Sequence, residues 1–501
     1  MTKKDVLLAI DQGTTGTRVY VFDADLDVLG SGYRDFPQHY PQPGHVEHDL
    51  DEVRRSLHEA LAEALARAEQ DPRFDVGAIA VVGITNQRET VVLWDRASGQ
   101  AIERAIVWQD RRTSAACTAR IETGLGPRVR ALAGLPIDPY FSATKLEWLL
   151  DERGHRAAAE AGKLAAGTID SWLVHELSGG ALHVTDATNA SRTSLMDLEA
   201  LEWSDELCDI FRVPRSILPR IVASSEVVGV TRGFPGLPDG LPIAGIAGDQ
   251  HAALFGQACF ERGEVKCTFG TGAFLLMNTG ATPVPSTHGL ITTLAWKLGD
   301  TTTYALEGSA FIAGAAITWL RDGLGIIGKA SDVDALAASV EDAGGVSFVP
   351  AFAGLGAPHW RPDARGLLSG LTRATTKAHI ARAVLEGIVL QNIDVLRAME
   401  QDAGHGIRQV LVDGGAAASD WMMQFFADLV GVRVVRPAML EATVCGAACL
   451  AGLAVGVFSG TEEVRRRSVD LAVKAVSFRP QMDDQLVQEH LRRFAVAVEH
   501  A

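Results

Sequence analysis

Ile243-Ala244-Gly245-Ile246-Ala247-Gly248-Asp249-Gln250-His251 is an apolar run that delivers an Asp-Gln pair, and a second signal follows it, Thr268-Phe269-Gly270-Thr271-Gly272. The first reads as a buried strand ending on a carboxylate. The second reads as a strand ending in a turn of glycine and threonine, open enough for a phosphate to approach the backbone. A carboxylate at a strand end can take a proton from a hydroxyl. A Gly/Thr turn can hold the phosphate that such a hydroxyl would attack. The remaining signals are arranged around this pair.

The N-terminus carries the second signal again. Val6 to Ile10 is a short apolar strand that runs into Asp11-Gln12-Gly13-Thr14-Thr15-Gly16-Thr17, and Arg18 to Phe22 reads as the returning strand of a β-hairpin. A polar turn is the plain reading. The aspartate at the strand end and the run of Gly and Thr favour a phosphate loop. Glu264 to Thr268, Gly270-Thr271-Gly272 and Phe274 to Asn278 repeat the layout, which predicts a structural duplication with one loop per half.

A chain of 501 residues is too long for one core, and two large domains are expected. The Pro/Gly-rich stretch Arg220 to Leu241, read as surface, precedes the Asp-Gln segment and places the boundary near Ala253, giving 1–253 and 254–501. Hydrophobic residues at 47% and charged residues at 22% fit an ordinary globular protein. The net charge of −16 argues against non-specific nucleic-acid or anionic-membrane binding, so an anionic ligand must be held by local donors. Six cysteines (Cys117, Cys208, Cys259, Cys267, Cys445, Cys449) form no CxxC pair and read as free thiols in a reducing cytoplasm. Met1 to Asp11 has no apolar segment of signal-peptide length. Ala442 to Gly460 is uncharged and of spanning length but rich in Ala and Gly. It reads as a buried helix on a close-packed interface rather than a membrane span.

Between these landmarks, Asp51 to Glu69 is an amphipathic helix with Val53, Leu57, Leu61 and Leu65 on one face. Ile79 to Thr85 is a strand leading to Asn86-Gln87-Arg88-Glu89. Adjacent Arg and Glu can offer a donor and an acceptor to a small polyol, although from these residues alone an exposed ion pair is the better reading. Trp108 ends a strand-like run, where most tryptophans are core. Asp138 to Ser142 opens a helix through Trp148. Thr168 to His175 and Thr185 to Arg192 have no chemical reading of their own. Glu307-Gly308-Ser309 reads as the start of an apolar helix through Trp319. Gly323 to Gly328 matches GxGxxG but follows a helix, so it is no dinucleotide fingerprint, and no GxxxxGK[ST] exists. Thr376 to Met399 is a long helix. Gln409 to Val412 is a strand, Asp413-Gly414-Gly415 a tight turn, and Ser419 the N-cap of a helix closed by Gly431. Such a junction lets a nucleotide lie against backbone.

With these stretches in view, Tyr140 to Glu152 and Gly366 to Glu386 resemble the two signatures of the FGGY carbohydrate kinases. The resemblance extends over nearly the whole chain. It implies an α/β, two-domain actin/Hsp70-like ATPase (ribonuclease H-like) fold with an interdomain cleft. Asp11 to Thr15, Gly83 to Thr90, Asp138 to Ser142, Thr188 to Thr193 and Gly245 to Gln257 are similar to stretches of the members that phosphorylate glycerol. The implied reaction is in-line transfer of the ATP γ-phosphate to a primary hydroxyl of glycerol, giving sn-glycerol 3-phosphate with Mg²⁺, the first step of glycerol catabolism. A homodimer or homotetramer is also implied.

By the same resemblance Asp249 is the general base. Arg88, Glu89, Tyr140, Asp249 and Gln250 hold the glycerol hydroxyls, with Trp108 and Phe274 walling the carbon side. Thr14, Thr15, Gly16 and Arg18 form the first phosphate loop and Thr271 the second. Gly314 and Gly415 approach the nucleotide, as do Thr318 and Ser419. Asp11 acts on Mg²⁺ through water. Thr318 stands where the family often has Gln, Ser419 where it has Asn, and Gly16 where Ser is common. Thr231 to Pro242 offers only Arg232 as a basic residue, so fructose 1,6-bisphosphate control is expected to be absent. Two other readings stay open. A family member acting on a pentulose or a sugar acid is disfavoured by Arg88, Glu89 and Trp108. A non-enzymatic ATP-dependent binding module is disfavoured by Asp249.

Overall fold

A computed structural model describes residues 5–361, 363–437, 441–471 and 475–501. Runs of Val, Ile, Leu and Ala make the central strands: Val6–Gln12 and Ile79–Asn86 are buried at every position. A strand apolar on both faces belongs at the middle of a sheet covered on both sides.

In the N-terminal half a six-stranded sheet runs in the order Gly229–Val230, Pro242–Gly248, Ile79–Asn86, Val6–Gln12, Gly16–Phe22, Val28–Asp35. Val6–Gln12 pairs antiparallel with Gly16–Phe22 and parallel with Ile79–Asn86. In the C-terminal half a seven-stranded sheet runs Ile291–Leu298, Thr301–Ala310, Ala273–Gly280, Glu264–Phe269, Gln409–Asp413, Val434–Arg436, Val476–Phe478. There Glu264–Phe269 pairs antiparallel with Ala273–Gly280 and parallel with Gln409–Asp413. The first strand of each half is wired alike, antiparallel to its successor and parallel to a later strand, as the two Gly/Thr turns predict. Beyond that the halves differ, because Val28–Asp35 pairs directly with Gly16–Phe22 while Ile291–Leu298 goes to the sheet edge and Thr301–Ala310 takes the place beside Ala273–Gly280. A long helix follows in each half, Leu50–Ala68 capped by Asp49 in the first and, after two shorter helices, Lys377–Ala403 in the second.

The halves meet along two helices, Asp249–Gly256 and Ala442–Ala454, and Ala253, the expected boundary, lies in the first of them. They cross on glycines. A Cβ on Gly446 would lie 1.8 Å from the Ala252 carbonyl oxygen, and one on Gly256 would lie 2.1 Å from that of Ala442. Only glycine permits that approach. The uncharged stretch is therefore a buried helix, packed among Leu7, Ala9, Leu254 and Phe255. Among the described residues no helix is long and apolar enough to cross a membrane. All six thiols are free and buried.

Two local expectations are corrected. Glu307-Gly308-Ser309 does not start a helix; it continues the strand Thr301–Ala310, and the helix begins at Gly314. The β-branched and aromatic residues Thr301 to Tyr304 favour extension, and the pairing of Leu276 with Glu307 carries it forward. Arg220 to Leu241 is not only surface: Gly229–Val230 closes the edge of the first sheet, and Val222, Phe234 and Leu237 are core.

Candidate active site

Asp249 is the first residue of its helix, held at the end of Pro242–Gly248. The turn is fixed from behind. The Gly248 N–H donates to Thr188 Oγ1 at 2.9 Å, and that hydroxyl donates to Asp186 at 2.9 Å. The Asp249 carboxylate accepts from the Gln250 N–H at 2.7 Å and lies 3.1 Å from Arg88 Nε, with its side chain 30% exposed.

From Asp249 a chain of opposite charges runs inward. Arg88 makes a two-pronged contact with Glu307, Nη1 to Oε2 at 2.6 Å and Nη2 to Oε1 at 2.9 Å. Glu307 also accepts from Arg192 Nη2 at 3.2 Å, and Arg192 Nε donates to Glu89 at 2.7 Å. Arg88, Glu89, Arg192 and Glu307 are all at most 3% exposed. Burial opposes ionisation of Glu307, but the Arg192 and Arg88 guanidiniums overcome it and hold the carboxyl down at about 2. Burial raises Glu89, which its two guanidiniums offset only in part. The expected exposed Arg88–Glu89 ion pair is thus absent. The neighbours point to different partners because Glu89 takes a left-handed backbone, φ 60°.

Three aromatic rings stand beside this chain. Trp108 meets Tyr140 edge-on at 5.6 Å and Phe274 at 6.5 Å between ring centroids. Trp108 is half-buried rather than core, and its Nε1 donates to Thr14 in the first Gly/Thr loop at 2.9 Å. Tyr140 lies under the Arg192 guanidinium. Gln250 is held from below: buried Lys266 donates to its Oε1, and also to the Phe274 carbonyl at 3.3 Å. Burial pulls the Lys266 ammonium down. Asp413, at the end of the neighbouring strand, accepts from Gln257 of the Asp249 helix at 2.7 Å.

At the first loop Asp11 is 5% exposed, with Arg18 Nη1 at 3.6 Å. Burial pushes its carboxyl up to about 7, Arg18 pulls it back and Asp249 adds to the rise. Arg18 also reaches Glu441 of the other half at 3.9 Å. Gly16 lies under the Tyr33 ring, the movable end of an exposed side chain, which a Cβ there, 2.5 Å away, would have to displace. Thr15 is exposed on the same turn. At the second loop the Gly314 N–H donates to the Gly270 carbonyl at 2.9 Å, and the Ala313 N–H to that of Thr271 at 2.8 Å. Gly314 and Thr271 are thus brought together. Thr318 and Gly415 are exposed. Ser419 is committed: its hydroxyl caps the helix Asp420–Val430 through the Met422 N–H and donates to Asp334 at 2.5 Å.

The sequence reading missed Glu307, Arg192, Lys266 and the Asp186–Thr188 support. Glu307 left a usable signal, a lone charge inside an otherwise uncharged strand, and Lys266 a weaker one, a charge between Val265 and Cys267, each costly to bury unless paired.

Residues 6–256 match the N-terminal domain, and 265–455 the C-terminal domain, of the FGGY family of carbohydrate kinases. A glycerol kinase of Myxococcus xanthus is 57% identical over the full length of both chains. One of Alkalilimnicola ehrlichii is 52% identical over 99% of this chain and 98% of its own. Among solved structures, Plasmodium falciparum glycerol kinase with ADP superposes with a TM-score of 0.93 at 36% identity, over 99% of this chain and 98% of that one.

Proposed function

The chain belongs to the FGGY family of carbohydrate kinases, and on that premise we propose that it transfers the γ-phosphate of ATP to a primary hydroxyl of glycerol, giving sn-glycerol 3-phosphate. One observation carries the substrate. The carboxylates Asp249 and Glu89 end a buried ion chain beside the edge-on rings of Trp108, Tyr140 and Phe274. A small triol with one CH face matches carboxylate acceptors on one side and rings on the other.

In this reading the attacking hydroxyl gives its proton to Asp249. Its oxygen forms the new bond to the γ-phosphorus, and ADP leaves with the electrons of the broken P–O bond. Arg88 and Gln250 orient the hydroxyls, and Tyr140 and Glu89 complete the pocket. Thr14, Thr15, Gly16 and Arg18 hold phosphate on one side and Thr271 on the other, with Gly314 and Gly415 offering backbone to the nucleotide. Ser419 acts there through the helix end it caps, and Thr318 offers one hydroxyl.

Asp11 suits a divalent cation. It is a buried carboxylate pushed up to about 7 with one guanidinium near it, and a second positive charge would favour its ionised form. Mg²⁺ is commonly held by one or two carboxylates together with substrate phosphates. When bound, it neutralises charge developing on the phosphates. We place the enzyme in the cytoplasm as a homodimer or homotetramer. We keep the division near Ala253, with the hydroxyl acceptors on residues 1–253 and the nucleotide surface on 254–501. A coupled ADP-release assay with glycerol, xylitol and D-xylulose tests the reading. Glycerol should give the highest kcat/KM, and a preference for D-xylulose would overturn it in favour of a pentulose kinase.

A further inference from the structure

We propose that Glu307 is a positioning residue for the acceptor substrate: from the C-terminal half it holds apart the two guanidiniums that would otherwise close on Asp249 and Glu89. The inference rests on the glycerol reading and deepens it. The order along the chain is Asp249, Arg88, Glu307, Arg192, Glu89, with charges alternating at every step. Both ends are the carboxylates that accept substrate hydroxyls. The middle three groups are at most 3% exposed. Glu307 is the only member contributed by the seven-stranded sheet, and it takes both forward-facing nitrogens of Arg88.

A buried guanidinium keeps a counter-ion. With Glu307 neutral, Arg88 would turn its fork onto Asp249, which its Nε already approaches at 3.1 Å, and Arg192 would bind Glu89 more fully. Each carboxylate would then have fewer lone pairs for a hydroxyl. Glu307 never touches substrate here; it keeps the two acceptors available. The nucleotide surface shares none of these groups, so the effect is selective.

The test uses Glu307→Gln, Arg192→Gln and the double variant in steady-state kinetics. Glu307→Gln should raise the KM for glycerol about tenfold or more, leave that for ATP within about twofold, and lower kcat. Glu307→Asp, which keeps the charge, should recover part of the loss. The double variant, which removes one charge of each sign, should lose less kcat/KM for glycerol than the product of the single losses, by about tenfold. A folded Glu307→Gln with an unchanged KM for glycerol, or a loss shared equally by glycerol and ATP, overturns the proposal. If Glu307→Gln does not fold, the double variant decides: an unchanged KM for glycerol overturns it. Wild type without glycerol turnover would sink the substrate reading alone. The same variants are then read with whichever polyol or ketose wild type phosphorylates, because the chain serves any hydroxyl acceptor.

Discussion

Asp249→Asn keeps an acceptor for Arg88 Nε but cannot take a proton. It should lower kcat roughly 10²–10⁴-fold with ATP affinity nearly intact; turnover within about threefold of wild type would remove Asp249 from the chemistry. Trp108 makes two kinds of contact, ring to ring and Nε1 to Thr14, and two substitutions separate them. Trp108→Ala removes the wall and should raise the KM for glycerol while relatively favouring erythritol and xylitol. Trp108→Phe keeps a ring against Tyr140 and Phe274 but drops the Nε1 bond to Thr14. That loss, about 0.5–1.5 kcal/mol, should fall on the KM for ATP. Unchanged kcat/KM ratios across the three polyols in Trp108→Ala would mean that the ring walls nothing. Histidine burial gives the sign of a pH effect. His48 is pushed by burial down to about 3 from 6.5. Between those values the unfolded chain binds a proton that the folded chain refuses. The contribution is whole above pH 6.5 and is lost as pH falls, up to about 1.4 kcal/mol per unit. Burial pushes Asp170 up to about 6, and it acts oppositely over its own window. Comparing urea unfolding of wild type and His48→Gln at about pH 7.5 and pH 5 isolates the histidine. The variant should lose roughly 2 kcal/mol less, and parallel losses would refute the argument.

At the scale of elements, the crossing of Asp249–Gly256 with Ala442–Ala454 sets where Asp249 stands relative to the second half. Gly446→Ala would drive a methyl into the Ala252 carbonyl. The helices must separate, at a cost of about 1–3 kcal/mol or more. Unfolding by urea should show that loss, together with a fall in kcat, since Asp249 begins the displaced helix. Wild-type stability in Gly446→Ala would mean that the crossing is looser than its geometry. Elements of this kind are legible in the sequence. The apolar face of Val53, Leu57, Leu61 and Leu65 marks the first long helix, which the Asp49 cap starts at Leu50, and the Ser419 cap and Gly431 stop bracket Asp420–Val430. Glu307 was misassigned because a short apolar run with glycine suits a helix start as well as a strand. The pairing with Ala273–Gly280 decided the matter.

For the whole molecule, the two halves are tied by polar contacts as well as by glycine packing. Lys266 reaches Gln250, Arg18 reaches Glu441, and Glu307 reaches Arg88 and Arg192. Glu307 serves the acceptor side alone, but Lys266, whose strand ends in the second Gly/Thr turn, and Arg18, beside the first, join those turns to Gln250 and to the far half. Nucleotide and acceptor binding should therefore be coupled. Calorimetric titration of glycerol with and without a non-hydrolysable ATP analogue should show a change in affinity of several-fold, reduced in Lys266→Met. Equal coupling in both proteins would place the link elsewhere.

The sequence by itself determined the duplicated strand–turn–strand layout, the carboxylates at strand ends, the two Gly/Thr turns and the glycine-rich buried helix. Those features are local, set by hydrophobic periodicity, turn chemistry and caps within a few residues of one another. Tertiary structure alone decided who pairs with whom. Arg88 and Glu89 sit side by side in the chain, yet one meets Glu307 and the other Arg192. Gly16 lies under the Tyr33 ring of a neighbouring strand, and Ser419 is claimed by Asp334. A buried charge reveals in the sequence that it needs a partner; which partner it finds depends on the fold that brings distant residues within bonding distance.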